Sequence, residues 1–281
     1  SSVMFVHLNT HSIYSAMKGL LSLPDLMDSA KSYDMDTLAL TDVNGLFGFI
    51  RFVQHCHEAG IKAIAGVNLI TSKDEVILLV ENQYGYENLC RIISSIHDNS
   101  DQDISDILKK HSSGLFMLAY DRSTLKKLHP LIPNTHLFVE LRPGVSELEA
   151  EKLSKELQLE IVATGDVYFK SRADHRSHKL LRAIKNNTTI ENWDRMDYKS
   201  DQSWFRSEKE IVELFPNSLV AINNSRYLAD RCKTDWSFVN TIFPGLSLSN
   251  TYHANRKLKK KVYIGAKIRY GVINDLIQSR I

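Results

Sequence analysis

Apolar and polar positions follow two alternating periods along roughly the first 200 residues, and the switches between them predict the elements. Residues 4–8 form an apolar run that predicts a strand. Over residues 24–33 the spacing is helical, with Leu23, Leu26, Met27 and Ala30 on one face. Residues 37–41 are a second short apolar run. Residues 46–59 predict a helix stopped by Gly60, a residue type suited to the left-handed turn that ends helices. Residues 61–69 and 76–80 are strand-like, and 86–96 are helical. Residues 115–119, 136–141 and 160–164 are further strands, with helices between and after them. Repeated strand-then-helix units predict an α/β fold with a mostly parallel sheet, closed into a barrel-like form. In such barrels the chemistry sits at the C-terminal ends of strands. Asn9, Thr41-Asp42, Asn68 and Asp166 all fall at such ends.

The pattern changes after about residue 186. Asn186-Asn187-Thr188-Thr189 and the polar stretch to Ser203 read as a loop. Residues 207–215 open with Ser207 and Glu210, the spacing of a capping box. Pro216 precedes a second helix over 217–232, and Phe243-Pro244-Gly245 marks a turn. The last 30 or so residues are basic and helix-prone, as expected of the start of a further domain. Lys257, Lys259, Lys260 and Lys261 are candidate phosphate contacts there, against the plainer reading of a solvated helix face.

Composition narrows the classes. The 281 residues are enough for one large domain or one domain and part of another, and a net charge of +2 does not suggest general nucleic-acid binding. Three cysteines without paired spacing suit a reducing cytoplasm better than a disulfide framework. No apolar run predicts a membrane span, and no leader pattern opens the chain, so a cytoplasmic protein is expected.

A strand that ends in alternate polar residues aims several side chains at one cavity, where imidazoles would hold Zn²⁺ or Mn²⁺. Phe5-Val6-His7-Leu8-Asn9-Thr10-His11-Ser12 has that form, followed by Thr41-Asp42-Val43-Asn44. Only His7 and His11 are imidazoles, with Asn9 between them. The residues also have plainer readings. His11 can be a buried structural histidine, and Asp42 a cap on the next helix. His55 and His57 are two apart on a helix and face different ways. Asp174, His175 and His178 have helical spacing that suits a metal or, more simply, a solvated face.

These motifs, with Tyr14-Ser15, Gly19, Leu38-Ala39-Leu40-Thr41-Asp42, Leu46-Phe47-Gly48, Ala59-Gly60-Ile61-Lys62 and Gly66, resemble the N-terminal PHP (polymerase and histidinol phosphatase) domain of bacterial DNA polymerase III alpha subunits. Val162-Ala163-Thr164-Gly165-Asp166-Val167 matches a later motif. Phe205-Arg206-Ser207, Glu210 and Leu214-Phe215-Pro216 match the segment leading toward the polymerase. The resemblance covers most of residues 4–232. It implies a distorted (β/α)7 barrel over residues 1–204 and a mainly helical connector over 205–281. A palm domain would lie beyond Ile281.

Active members of the family hold metal ions with His, Asp, Glu and sometimes Cys. Carried over residue by residue, the pattern keeps His11 and Asp166. It has His at Asn9, Asp at Lys18, His at Val43, Glu at Asn68 and His at Tyr168. Many members have Cys near Asp121, and His97 falls near another ligand position. Val43 has no lone pair, a phenol is a poor ligand at neutral pH, and an ammonium repels a divalent ion. The expectation is a vestigial metal site with no catalytic residues and no cofactor, in which Lys18 pairs with Asp166 and Asp121. The parent protein is expected to be a DNA-directed DNA polymerase in replication, with this barrel as a structural and docking module. Its expected partners are the polymerase core of the same chain, a proofreading exonuclease and, indirectly, DNA. The alternative is an active metal-dependent 3'–5' exonuclease or phosphoesterase with Zn or Mn. A free-standing esterase is opposed by the segment after Phe205.

Overall fold

The computed structural model describes residues 4–15, 20–99, 101–175, 201–233 and 236. Six strands lie in sequence order across one sheet: β1 (Thr37–Leu40), β2 (Lys62–Ile70), β3 (Glu75–Val80), β4 (Leu115–Ala119), β5 (Leu137–Leu141) and β6 (Ile161–Ala163). The helices are α1 (Leu23–Ser32), α2 (Phe49–Ala59), α3 (Gln83–Asp98), α4 (Ile104–Lys110), α5 (Arg122–Leu128), α6 (Glu147–Leu157), α7 (Glu208–Leu214) and α8 (Leu219–Arg231). The β1–β2, β4–β5 and β5–β6 pairs are parallel. The β2–β3 and β3–β4 pairs are antiparallel, so the sheet is less uniformly parallel than its sequence pattern predicts. The reason is local: Thr71 and Asp74 close a tight hairpin, with Thr71 N–H donating to Asp74 O at 2.9 Å, too short a link for a crossover helix.

The N-terminal segment closes the curled sheet. It bridges β1 at His7–Leu38 and the chain after β6 at Thr10–Val167, both in parallel sense. Thr41 N–H donates to Thr10 O at 2.8 Å on one side, and His11 N–H to Val167 O at 2.9 Å on the other. The predicted strand over 4–8 is therefore a set of isolated bridges. Val6 and Leu8 pack in the barrel interior, yet the neighbouring Asn9 also turns inward. Two adjacent inward residues break the alternation of a regular strand. Asp166, at φ 46 in the left-handed region, bends the chain after β6 so that Val167 can reach this segment.

Successive strand residues point to two faces of the sheet, and both faces are buried. Ala39, Ile64, Ile77, Leu79, Phe116, Leu118, Phe138 and Val162 join Val6 and Leu8 inside the barrel. The intervening residues, among them Leu38, Val67, Leu78, Met117 and Val139, pack outward in the larger core with α1 to α6. Helix ends follow their sequence signals. The Ser22 side chain caps α1, Gly60 ends α2 at φ 70, and Ser207 with Glu210 forms the capping box of α7.

Helix α8 seals the N-terminal ends of the strands. Leu228, Ala229 and Cys232 belong to the interior cluster. Val6 N–H donates to Ser225 Oγ at 3.0 Å, Asn224 Nδ2 to Ile161 O at 2.8 Å, and Lys62 Nζ to Ala229 O at 2.8 Å. Trp236 donates from Nε1 to Ala63 O at 3.0 Å and packs edge-on against Phe49 and Tyr86. No described helix is long and apolar enough to cross a membrane.

Candidate functional site

The apolar interior gives way to polar residues at the opposite mouth. On β1 the inward sequence continues from Ala39 to Thr41, on β2 from Ile64 to Asn68, and on β5 from Phe138 to Glu140 and Arg142. On β6 it runs from Val162 to Thr164 and Asp166. Glu75 and Tyr120 contribute from β3 and the end of β4.

The structure brings Asn9, His11, Asn68, Asp166 and Tyr168 together here, all buried. Asn9 Nδ2 donates to Glu140 Oε2 at 2.9 Å and to Asp166 Oδ1 at 3.4 Å, and its Oδ1 accepts from Thr41 Oγ1 at 3.3 Å. The Nδ1 of His11 lies 2.9 Å from Val167 O, which can only accept, so Nδ1 carries the proton. Its Nε2 is then an acceptor, met by Asn68 Nδ2 at 3.1 Å. The same amide nitrogen donates to Glu75 Oε1 at 3.1 Å. Tyr168 stacks on the His11 ring with centroids 3.8 Å apart. Burial, followed by the charge of Asp166, pushes the Tyr168 phenol well above its usual range, so it stays protonated.

Three residues that motif matching missed complete the cluster: Glu75, Glu140 and Arg142. Arg142 Nη2 lies 2.6 Å and Nε 2.8 Å from Glu140 Oε1. Arg142 Nη1 lies 3.1 Å from Glu75 Oε1 and 3.8 Å from Asp166 Oδ1. The Arg142 guanidinium sits 4.4 Å above the Tyr120 ring, and the Tyr120 hydroxyl donates to Glu75 Oε2 at 3.1 Å. Thr164 Oγ1 donates to Glu140 Oε2 at 2.7 Å. Burial opposes the charge of Arg142, but Glu140, Asp166 and Glu75 outweigh it and hold its pKa well above the usual value. For Glu140, burial wins over the pull of Arg142 and raises its pKa. The signal was present in the sequence: Glu140 and Arg142 continue the inward alternation of β5 beyond Phe138.

Other expected positions lie apart from this cluster. Val43 contributes backbone, bridging Asn68 and donating its N–H to Ser15 Oγ at 2.9 Å. Asp121 is exposed and caps α5, accepting from Thr124 N–H at 3.1 Å. His97 donates from Nε2 to Asn44 O at 2.8 Å. Asp42 does not cap α2, whose N-cap is Gly48. It accepts instead from Ser12 N–H at 2.7 Å and Ser12 Oγ at 2.8 Å, fixing the turn after His11. Burial, only partly offset by the two hydrogen bonds from Ser12, raises the Asp42 pKa to about 6. Lys18, His178, Lys257, Lys259, Lys260 and Lys261 lie outside the described residues, so the Lys18–Asp166 pair does too. Asp174 caps the turn at Ser171, and no group of three His, Cys, Asp or Glu among the described residues is arranged to hold a metal ion.

His7 is structural. Its Nε2–H donates to Arg206 O at 2.7 Å, and its ring lies 4.7 Å from that of Phe5 and 4.2 Å from that of Phe205. Burial lowers its pKa to about 4. Gly165 leaves the room it needs, since a Cβ there would come within 2.7 Å of the ring.

Residues 7–127 match the PHP domain family. DNA polymerase III subunit alpha of Escherichia coli K12 is 30% identical over 83% of this chain and 23% of its own length. The same subunit of Treponema pallidum is 24% identical over 98% of this chain and 27% of its own length. The chain thus spans about a quarter of the length of the curated relatives it matches. A solved amidohydrolase from Chromobacterium violaceum aligns with a TM-score of 0.44 at 14% identity, over 58% of this chain and 87% of that one. This chain carries a PHP domain and is a relative of the DNA polymerase III alpha subunits.

Proposed function

We propose that this chain is the PHP portion of a bacterial replicative-type DNA polymerase, and that its barrel is a structural and partner-docking module with a degenerate metal site. A two- or three-metal hydrolytic centre needs imidazole and carboxylate lone pairs aimed at a shared cavity. The residues at the mouth do not fit that requirement. The observation that carries the reading is the state of His11. Its Nδ1 is protonated toward Val167 O, and the lone pair left on Nε2 accepts from Asn68 and is not offered to a metal. Asn9 and Asn68 turn amide N–H groups, not lone pairs, toward Glu140, Asp166 and Glu75. Val43 and the protonated Tyr168 add no donor.

In this reading the connector begins at residue 205 and is rooted in the barrel floor through α8. The neighbours it braces are the polymerase core of the same protein and a proofreading exonuclease, with DNA contacted indirectly. The test uses the full-length polymerase, purified without an exonuclease subunit, on 3'-labelled single-stranded DNA with Mn²⁺ or Zn²⁺. The expected result is no metal-dependent release of labelled nucleotide. Release that disappears in H11A would establish the alternative, an active PHP exonuclease.

A further inference from the structure

The mouth collects three acidic side chains from separate parts of the fold: Glu75 opens β3, Glu140 lies in β5, and Asp166 follows β6. Their side chains are 17%, 0% and 4% exposed. Placing three carboxylates together away from water costs far more than one of them can recover by hydrogen bonding alone. The resemblance implies that active members of the PHP family hold metal ions, which would supply positive charge. Here the donor set does not fit a metal, and a guanidinium stands among the acids.

We propose that Arg142 is an internal structural cation of this barrel, holding Glu75, Glu140 and Asp166 in the place where the family's metal would do so. Three features support it. Arg142 engages Glu140 through both Nε and Nη2 while Nη1 faces Glu75 and Asp166, so one planar group ties β3, β5 and the chain after β6. A lysine could not span these directions, and unlike lysine an arginine stays charged when buried. The Tyr120 ring backs the guanidinium on one face. Neutral donors among the described residues also reach these acids: Asn9 on Glu140 and Asp166, Asn68 and Tyr120 on Glu75, Thr164 on Glu140, and Ser203 on Asp166. Because Glu140 also accepts from Asn9, the tie extends to the N-terminal segment that closes the barrel. This assignment deepens the metal-free reading above and can fail without it.

Thermal unfolding of the full-length polymerase tests the proposal, with wild type, R142M, E140Q and the double variant E140Q/R142M each measured with EDTA and with Mn²⁺. The wild-type barrel transition is expected to be unmoved by either addition. R142M should lose about 10 °C. E140Q/R142M should lose less than the sum of the single variants, because neutralising one acid relieves the charge that R142M strands. R142M should also become more stable as pH falls from 8 to 5, as the stranded acids take up protons. Failure of R142M to fold, with a folded double variant, carries the same meaning. Additive losses with an unchanged pH profile, or failure of both variants to fold, would reduce Arg142 to packing and overturn the proposal while leaving the metal-free reading intact. A wild-type transition lowered by EDTA would sink both.

Discussion

Truncating Leu228 to alanine tests whether α8 is part of the barrel. Leu228 is fully buried within the interior cluster, facing the inward residues of the strands. The change removes three carbons, about 2.4 kcal/mol of transfer free energy at roughly 0.8 kcal/mol per methylene-sized group. A cavity term adds to this, because hydrogen-bonded strands cannot close inward to fill the gap. Together they give about 3–5 kcal/mol. For a barrel of this size that corresponds to a melting shift of roughly 10 °C. The control lies on the same helix: Val220 is 74% exposed, and V220A should change stability by less than about 0.5 kcal/mol. Chemical denaturation followed by the near-ultraviolet signal of the barrel aromatics reads both variants. Equal, small effects in L228A and V220A would show that the strands hold together without α8, and the floor described above would be wrong.

Two further substitutions probe the mouth. In the folded chain Asp42 keeps its proton up to about pH 6, whereas the unfolded chain loses it near the ordinary carboxylate value of 3.8. Its contribution is therefore complete below about pH 4 and falls by roughly 3 kcal/mol as pH rises through 6. D42N, which keeps an oxygen to accept from Ser12 N–H, should flatten the stability profile between pH 4 and 6 and match or exceed wild type at pH 8; an unchanged slope would contradict the burial argument. G165A drives a Cβ to 2.7 Å from the His7 ring, which Arg206 O and two phenylalanine rings hold in place. It should cost about 1–3 kcal/mol in denaturant titrations, and the loss should shrink in the H7A background. Equal losses in both backgrounds would mean that the two residues do not compete for space.

Short apolar runs set between helically spaced segments are enough, without any structure, to locate the six described strands and helices α1 to α3, because the spacing of apolar residues within one element is a local property. Local chemistry likewise decides the ends of α2 and α7, since Gly60 and the Ser207–Glu210 pair act within one turn. The approach of Asn9, His11, Asn68 and Asp166 was also legible, through strand ends matched to an ordered family pattern. Closure was not. That Leu8 and Asn9 both face inward, that β3 runs antiparallel to its neighbours, and that α8 plugs the floor depend on which strands meet, and no short window encodes that. The cation of the mouth was hidden for the same reason. Glu75, Glu140 and Arg142 are 65 and 2 residues apart in order along the chain, and each alone reads as an ordinary charge at a strand end. Only the curl of the sheet makes them one buried group, in which each charge is tolerable because the others are present.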